Sequence, residues 1–477
     1  MAYTTVNKHT DHFRTKTYSG NGAYGNNITF DESGNMQPDF VWIKQRGGTS
    51  GHHLYDSVRG PDKRIRSDSN AVESTAVNML HSFNTNGFTV DDESGINSNG
   101  GTFVAWNWLA GGATPTQTYK VVVVSDSGNK YRFRNSGDTA TFGASAVTLD
   151  LQEGGTYTFD VSDSTLNSHP FVIGTAANSS EYSTGVTYKL DGVTKTYSQY
   201  TSGFSAATSR QLIITVAASA PALYYWCSQH SGMGGAINTN TTHGSSNFDG
   251  ATQSTVSSNS TTGMSIIKYN GTGSQTTIGH ELGGVPDWIV IKRLGAVEDW
   301  ASYHVYNGAG TYQSLNTTEP VQSNANRFNV TPTSTVFTVN THESVNYDED
   351  YIAYCFKAVP GFSSFGWYEG NGSTSGPFVN TGMKPTCVIR KCVTSGTAEA
   401  WVLQDNQRPG YNVTNLAMFP SGTNVEDTAA HNAIDFLSNG FRAKSTDTRT
   451  NADSKYYIYM AFGQTVVGSN NVPATAG

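Results

Sequence analysis

The stretch Tyr224-Tyr-Trp-Cys-Ser-Gln-His-Ser-Gly-Met-Gly-Gly235 sets a thiol, an imidazole and a thioether at even spacing, as Cys227, His230 and Met233. Thiolate and thioether sulfur are soft donors and imidazole combines well with them. Residues of these types at this spacing point to copper rather than to a hard cation. Chance accounts poorly for the pattern. With 12 His and 8 Met in 477 residues, a given Cys has His at +3 and Met at +6 with a probability of about 0.0004, roughly 0.002 over all the Cys.

Other chemistry-bearing residues read as structural. His52 and His53 are neighbours, so on a strand they point to opposite faces and cannot chelate together; both are expected on the surface. The acidic run 346–351 (NYDEDY) lacks the Gly and terminal Glu of a calcium loop and reads as a solvated turn before a strand. The chain carries no nucleophile elbow, phosphate loop or zinc-protease helix, and nothing singles out a carboxylate pair for glycoside hydrolysis. Catalysis is not expected. The four Cys are too few for a disulfide framework, and Cys387 and Cys392, an odd number apart, should face opposite sides of a strand and stay unbridged.

The elements that would position the Cys–His–Met loop are strands. Tyr (25), Phe (22) and many Thr and Val suit a pleated surface, while 50 Gly with Asn and Ser suit tight turns. Strand candidates around the loop are 119–124, 130–134, 146–151, 155–161, 211–216 and 222–227, and the chain as a whole reads as all-β. A net charge of −8, with no basic run, argues against nucleic-acid binding. No stretch approaches the ~20 apolar residues of a membrane span, and the start MAYTTVNKHTDHF has no signal-peptide hydrophobic region, so Sec export is not expected.

Self-similarity organises the rest. Three segments open on Tyr-x-Gly-x-Gly: Tyr18–Gly22, Tyr269–Gly273 and Tyr368–Gly372. Each continues with Pro and a strand-like run ending in Lys (Pro38–Lys44, Pro286–Lys292, Pro385–Lys391), then a strand centred on Phe88, Phe337 or Phe441. Each closes on an aromatic strand, 103–108, 351–356 or 457–462, and the distance from Pro to the last aromatic is 70, 70 and 77 residues. Alternation in 103–108 puts Trp106 and Trp108 on one face and Ala105 and Asn107 on the other.

The predicted organisation is therefore three homologous, jelly-roll-like β-sandwich repeats at 1–113, 264–359 and 360–477, with a separate domain at 119–238 inserted between the first two. Residues 239–263, rich in Ser, Thr and Asn, read as a linker.

Two resemblances follow. Residues 146–173 followed by the loop at 224–235 resemble the cupredoxin family in its short-loop form, Cys-x2-His-x2-Met. This implies a Greek-key sandwich for the insert and a copper site formed by His169, Cys227, His230 and Met233, with His169 preceding Pro170. The repeats, with YSGNG, MQPDFVWIKQR, LYDSVRG and FVAWNWLAGG in the first copy, resemble repeat domains of virion structural proteins from marine tailed phages, including those of cyanobacteria. The later copies depart at LYDSVRG, which becomes YHVYNGAG (303–310) and LQDNQRPG (403–410).

What this second resemblance implies is a non-enzymatic virion protein, assembled in the host cytoplasm. It would sit at the tail or its fibres and be exposed for host attachment through a surface glycan or protein receptor. Its partners would be other virion proteins and further copies of itself, for instance in a trimer. A capsid decoration or knob-like protein is the alternative, and a copper-binding cupredoxin-type protein the second.

Overall fold

The computed structural model describes residues 4–31, 34–394, 396–408 and 411–467. Among them, strands dominate and the α-helices are short, Ser94–Asn97 and Tyr197–Gly203, so the protein is an all-β sandwich structure. No helix of the described residues is long and apolar enough to cross a membrane. The chain forms two compact units: 1–110, 258–276 and 281–477 make the first; 111–257 and 277–280 make the second.

In the first unit, the three sequence repeats adopt one strand order. The large sheet of the first repeat runs Phe13–Ser19, Thr102–Trp108, Phe40–Gln45, His53–Asp56 and onward. The second repeat places Met264–Asn270, Asp350–Phe356, Trp288–Arg293 and Ala301–His304 in that order; the third places Ser363–Glu369, Tyr456–Thr465, Met383–Cys392 and Val402–Asp405. Strands buried on both faces read as continuous apolar runs, and this explains FVWI. Phe40 and Trp42 face a core shared by all three repeats, whereas Val41 and Ile43 face the first repeat's own second sheet.

The shared core has a threefold character. The last aromatics of the closing strands, Trp108, Phe356 and Phe462, form a triangle with ring centroids 6.3, 5.6 and 5.5 Å apart. The Tyr-x-Gly-x-Gly landmark is structural in every copy. Its Tyr stacks on the first aromatic of the closing strand (Tyr18 on Phe103, Tyr269 on Tyr351, Tyr368 on Tyr457, at 5.1, 5.2 and 4.9 Å). Each of these phenols donates to a backbone carbonyl, of Ile96, Val345 or Thr450. A Cβ on its first Gly (Gly20, Gly271, Gly370) would stand 2.0–2.3 Å from a carbonyl oxygen, which excludes any other residue there.

The second unit packs two sheets face to face. One runs Asn129–Phe133, Thr116–Ser125, Thr156–Asp160, Arg210–Thr215, Val186–Leu190 and Val193–Lys195; the other runs Leu149–Gln152, Ala236–Asn240, Leu223–Cys227, Phe171–Ala176 and Ser179–Glu181. Tyr157, Phe159, Leu212 and Ile214 meet Phe171, Ile173, Leu223 and Tyr225 in its core. Residues 239–263 are not a free linker. They contain Ser245–Asn247 and Ser254–Asn259, and their polar side chains bond into the sandwich: Gln253 Nε2 to the Thr148 carbonyl at 2.8 Å and Thr255 Oγ1 to Asp150 at 2.6 Å. Composition misled here because Ser and Thr at sheet edges satisfy hydrogen bonds as well as they solvate a coil.

Candidate metal centre

Strand pairing brings the proposed ligands together. Phe171–Ala176 lies antiparallel to Leu223–Cys227 with Phe171 opposite Cys227, so His169, two residues earlier, arrives beside the thiol. Pro170 helps hold it there, since the Ser228 N–H donates to the Pro170 carbonyl at 3.1 Å. The His169 backbone is fixed on both sides: its N–H donates to the Leu166 carbonyl, and its own carbonyl accepts from the Tyr131 hydroxyl at 2.9 Å. Beyond Cys227 the loop is pinned by Asn178 Oδ1 on the Gly232 N–H, by Lys130 on the Gly232 carbonyl and by the Tyr131 N–H on the Met233 carbonyl. A Cβ on Gly234 would fall 1.7 Å from the Tyr225 carbonyl oxygen, so the turn back into the sheet requires glycine.

Among the described residues, His169, Cys227 and His230 are the one group of three such side chains with donor atoms close enough to share an ion. The two Nδ1 atoms are 3.0 Å apart, and Cys227 Sγ lies 3.8 Å from His169 Nδ1 and 3.6 Å from His230 Nδ1. The circumcentre of a triangle with these sides is ~2.0 Å from each corner, close to the ~2.0–2.3 Å of first-row metal bonds to imidazole nitrogen and thiolate sulfur. Cys227 and His169 are buried, and His230 is exposed at the loop surface. Met233 is 1% exposed and packs in the same apolar cluster as Cys227. Burial, and then the neighbouring His230, push the His169 imidazole below its usual range, which favours the neutral, ligating form. Asn129 Nδ2 stands 3.2 Å from His169 Nε2, the outer side of the ring. Two imidazoles and a cysteine sulfur around one point, with a thioether on the same loop, form a donor set suited to copper.

Residues 8–145 and 197–465 match the family described as Domain of unknown function (DUF7483). The chain belongs to that family. The matched stretches include Cys227, His230 and Met233, while His169 lies in the unmatched segment between them. No curated protein and no solved structure matches the chain.

Elsewhere in this family member, the candidate residues serve packing. His52 and His53 are not on the surface but 0% and 4% exposed. The Trp42 indole donates to His52 Nδ1 at 2.8 Å and Ser50 Oγ lies 3.0 Å from His53 Nε2. Sequence reasoning placed both outside because it had no view of the neighbouring repeat, whose Phe419 backbone adjoins His52. In the acidic run only the middle is the solvated turn expected, with Asp348 and Asp350 exposed and Glu349 paired to Arg293 at 2.9 Å; Asn346 and Tyr351 at its ends are buried. Cys355, Cys387 and Cys392 are free and buried.

LYDSVRG and its counterparts join the repeats to one another. Pairing opposite Phe40, Trp288 and Cys387 makes Asp56, His304 and Asp405 equivalent positions. Asp56 binds Arg59 at 2.5 Å and accepts from the Tyr354 hydroxyl of the second repeat at 2.7 Å. Asp405 binds Arg408 at 2.7 Å and accepts from the Trp106 indole of the first repeat at 3.0 Å. His304 faces the Tyr459 carbonyl of the third repeat at 3.4 Å. Each repeat thus reaches the closing strand of the next, and the third returns to the first. The Asp-x-x-Arg shared by copies one and three was the sequence signal for this clasp.

Proposed function

We propose that the chain is a non-enzymatic structural component of a virus particle whose inserted unit holds one copper ion. The observation that carries the metal reading is the Nδ1–Nδ1–Sγ triangle of His169, His230 and Cys227. Its size suits a single ion, and its soft sulfur favours copper over a hard cation. Met233, buried in the same cluster as Cys227, would add its thioether to the donor set. The chemistry that copper supplies in such a set is one-electron exchange. His169 and Cys227 keep the site dry, His230 meets solvent, and the Gly232–Gly235 turn holds the spacing. The insert is read as a cupredoxin-like Greek-key sandwich, and the three sandwiches of the first unit as copies of one domain. Their common strand order, Tyr–aromatic stacks and clasp positions support that reading.

Titration of the purified full-length protein with Cu(II) tests the metal reading. An intense visible thiolate-to-copper band at one equivalent, lost in Cys227→Ser, is the expected result. Copper uptake that is unchanged in Cys227→Ser overturns it.

The particle is the proposed place of action because the repeats resemble marine phage virion proteins and the chain is charge-poor, with its repeats joined through one shared core. A tail or fibre position, with a host-surface receptor, is the reading preferred over capsid decoration. Self-association, for instance as a trimer, belongs to it. Immunogold labelling of intact particles decides: label at the tail supports attachment, label over the head supports decoration, and unlabelled particles reject both.

A further inference from the structure

Three aromatic side chains stand together on the surface of the first unit, where the second repeat meets the third. Tyr306 follows the clasp residue His304, while Trp367 and Tyr456 lie on the opening and closing strands of the third repeat. Their exposures are 37%, 48% and 37%. Tyr306 stacks on the Trp367 indole with ring centroids 4.8 Å apart and planes at 23°, and Tyr456 stands 5.9 Å from the same indole at 51°. Strand pairing sets Glu369 opposite Tyr456, two residues from Trp367 and therefore on its face of the sheet. This carboxylate is exposed and has no ion-pair partner among the described residues. Burial, then Tyr456 and Glu369, push the Tyr306 phenol above its usual range, so the carboxylate lies within electrical reach of the stack.

The fold does not demand these rings. The residue before each landmark Tyr is Thr17, Lys268 or Trp367, and the residue before the first aromatic of each closing strand is Thr102, Asp350 or Tyr456. In the second repeat the corresponding pair is the salt bridge Lys268–Asp350 at 3.0 Å. The same strands thus form with polar groups at both places, and of the three repeats only the third carries aromatics there.

Size and charge narrow the occupant. At under half exposure the three rings present roughly 300 Å² between them, well short of the about 800 Å² per side of a stable protein interface. The patch therefore fits a small group. Indole and phenol faces are electron-rich, and an unpaired carboxylate beside them adds to the negative potential, so a cation complements both. A strongly hydrated ammonium would give up hydrogen bonds to water that an open platform cannot replace. A quaternary ammonium has none to lose, and its methyl groups lie against the rings.

We propose that Tyr306, Trp367, Tyr456 and Glu369 form a binding site for a choline-type cation, a small dissolved molecule ending in a trimethylammonium group. The site belongs to the first unit alone and stands independently of the copper reading. The test is saturation-transfer NMR on the full-length protein without added copper, titrated with choline, with its uncharged isostere 3,3-dimethylbutan-1-ol and with methyl β-D-glucoside. Transfer to the choline methyl groups with millimolar affinity is expected, and the isostere should bind about tenfold more weakly. Trp367→Thr, which installs the residue of the first repeat, should weaken choline binding about fivefold, and Glu369→Gln about threefold. Melting profiles confirm that both variants are folded. Absence of transfer to choline overturns the proposal, as does equal binding of the isostere, which would make the patch merely apolar. Choline binding unchanged in Trp367→Thr, or transfer to the glucoside in place of choline, overturns it as well.

Discussion

Replacing Asp405 by Ala should destabilise the first unit more than any surface charge change can. Asp405 is 0% exposed and its carboxylate takes Arg408 Nε at 2.8 Å and Nη2 at 2.7 Å. It also accepts the Gln407 and Arg408 backbone N–H groups at 3.0 and 3.1 Å and the Trp106 indole at 3.0 Å. Arg408 is equally buried, and burial opposes its charge while Asp405 and then Glu426 sustain it. Removing Asp405 leaves the buried Arg408 held by Glu426 at 2.6 Å and strands the Trp106 indole, a loss at the lower end of the about 3–5 kcal/mol for breaking a buried pair. The exposed pair Lys268–Asp350, at 40% and 48% side-chain exposure, provides the control in the same unit, and Lys268→Ala should cost less than about 1 kcal/mol. Urea unfolding followed by tryptophan fluorescence gives both values. A double-mutant cycle with Trp106→Phe isolates the contact between repeats. An indole donating to a buried carboxylate predicts a coupling of about 1.5–3 kcal/mol. If Asp405→Ala costs no more than Lys268→Ala, or the coupling is zero, the clasp does not hold the repeats together.

Acid should loosen the same unit through its buried histidines. His304 is 0% exposed and burial lowers its pKa to about 4, while His53 falls to about 3 for the same cause. The unfolded chain, with a histidine value near 6.5, binds protons that the folded chain refuses. Stability is therefore full above about pH 6.5 and falls as pH drops toward 4, by up to ~3 kcal/mol for His304 alone. Denaturation between pH 7 and 4 should show this slope, reduced in His304→Gln; an unchanged slope removes His304 from the account. In the insert, Gly234→Ala should unfold the ligand loop, because the new methyl group collides with the Tyr225 carbonyl. Copper uptake should vanish with it, and a variant that still binds one equivalent contradicts the loop geometry. Met233→Leu should retain copper within about tenfold in a chelator competition, since a thioether would be a weaker donor than the thiol and imidazoles, and complete loss would make Met233 a primary one.

Much of the architecture was legible because the landmarks are set within one repeat. The Tyr of Tyr-x-Gly-x-Gly stacks on its own closing strand, and its first Gly is fixed by a carbonyl of its own chain segment, so both recur unchanged in all three copies. The metal ligands were legible for a similar reason, since Cys227, His230 and Met233 sit on one short loop; His169, 58 residues away from the Cys, needed the cupredoxin resemblance to be found. The helix at Tyr197–Gly203 was missed although its capping box, Thr196 with Gln199, stands in the sequence. What stayed hidden were the partners across repeats, even where Asp-x-x-Arg marked the clasp in copies one and three. In a ring of three unequal neighbours, Asp56 must suit Tyr354, Asp405 must suit Trp106 and His304 must suit a backbone carbonyl, so the equivalent positions need not match one another. Divergence at LYDSVRG therefore tracks the change of partner around the ring. Burial agrees with a packing role for that motif: Asp56 and Asp405 are wholly enclosed, and Arg59 nearly so.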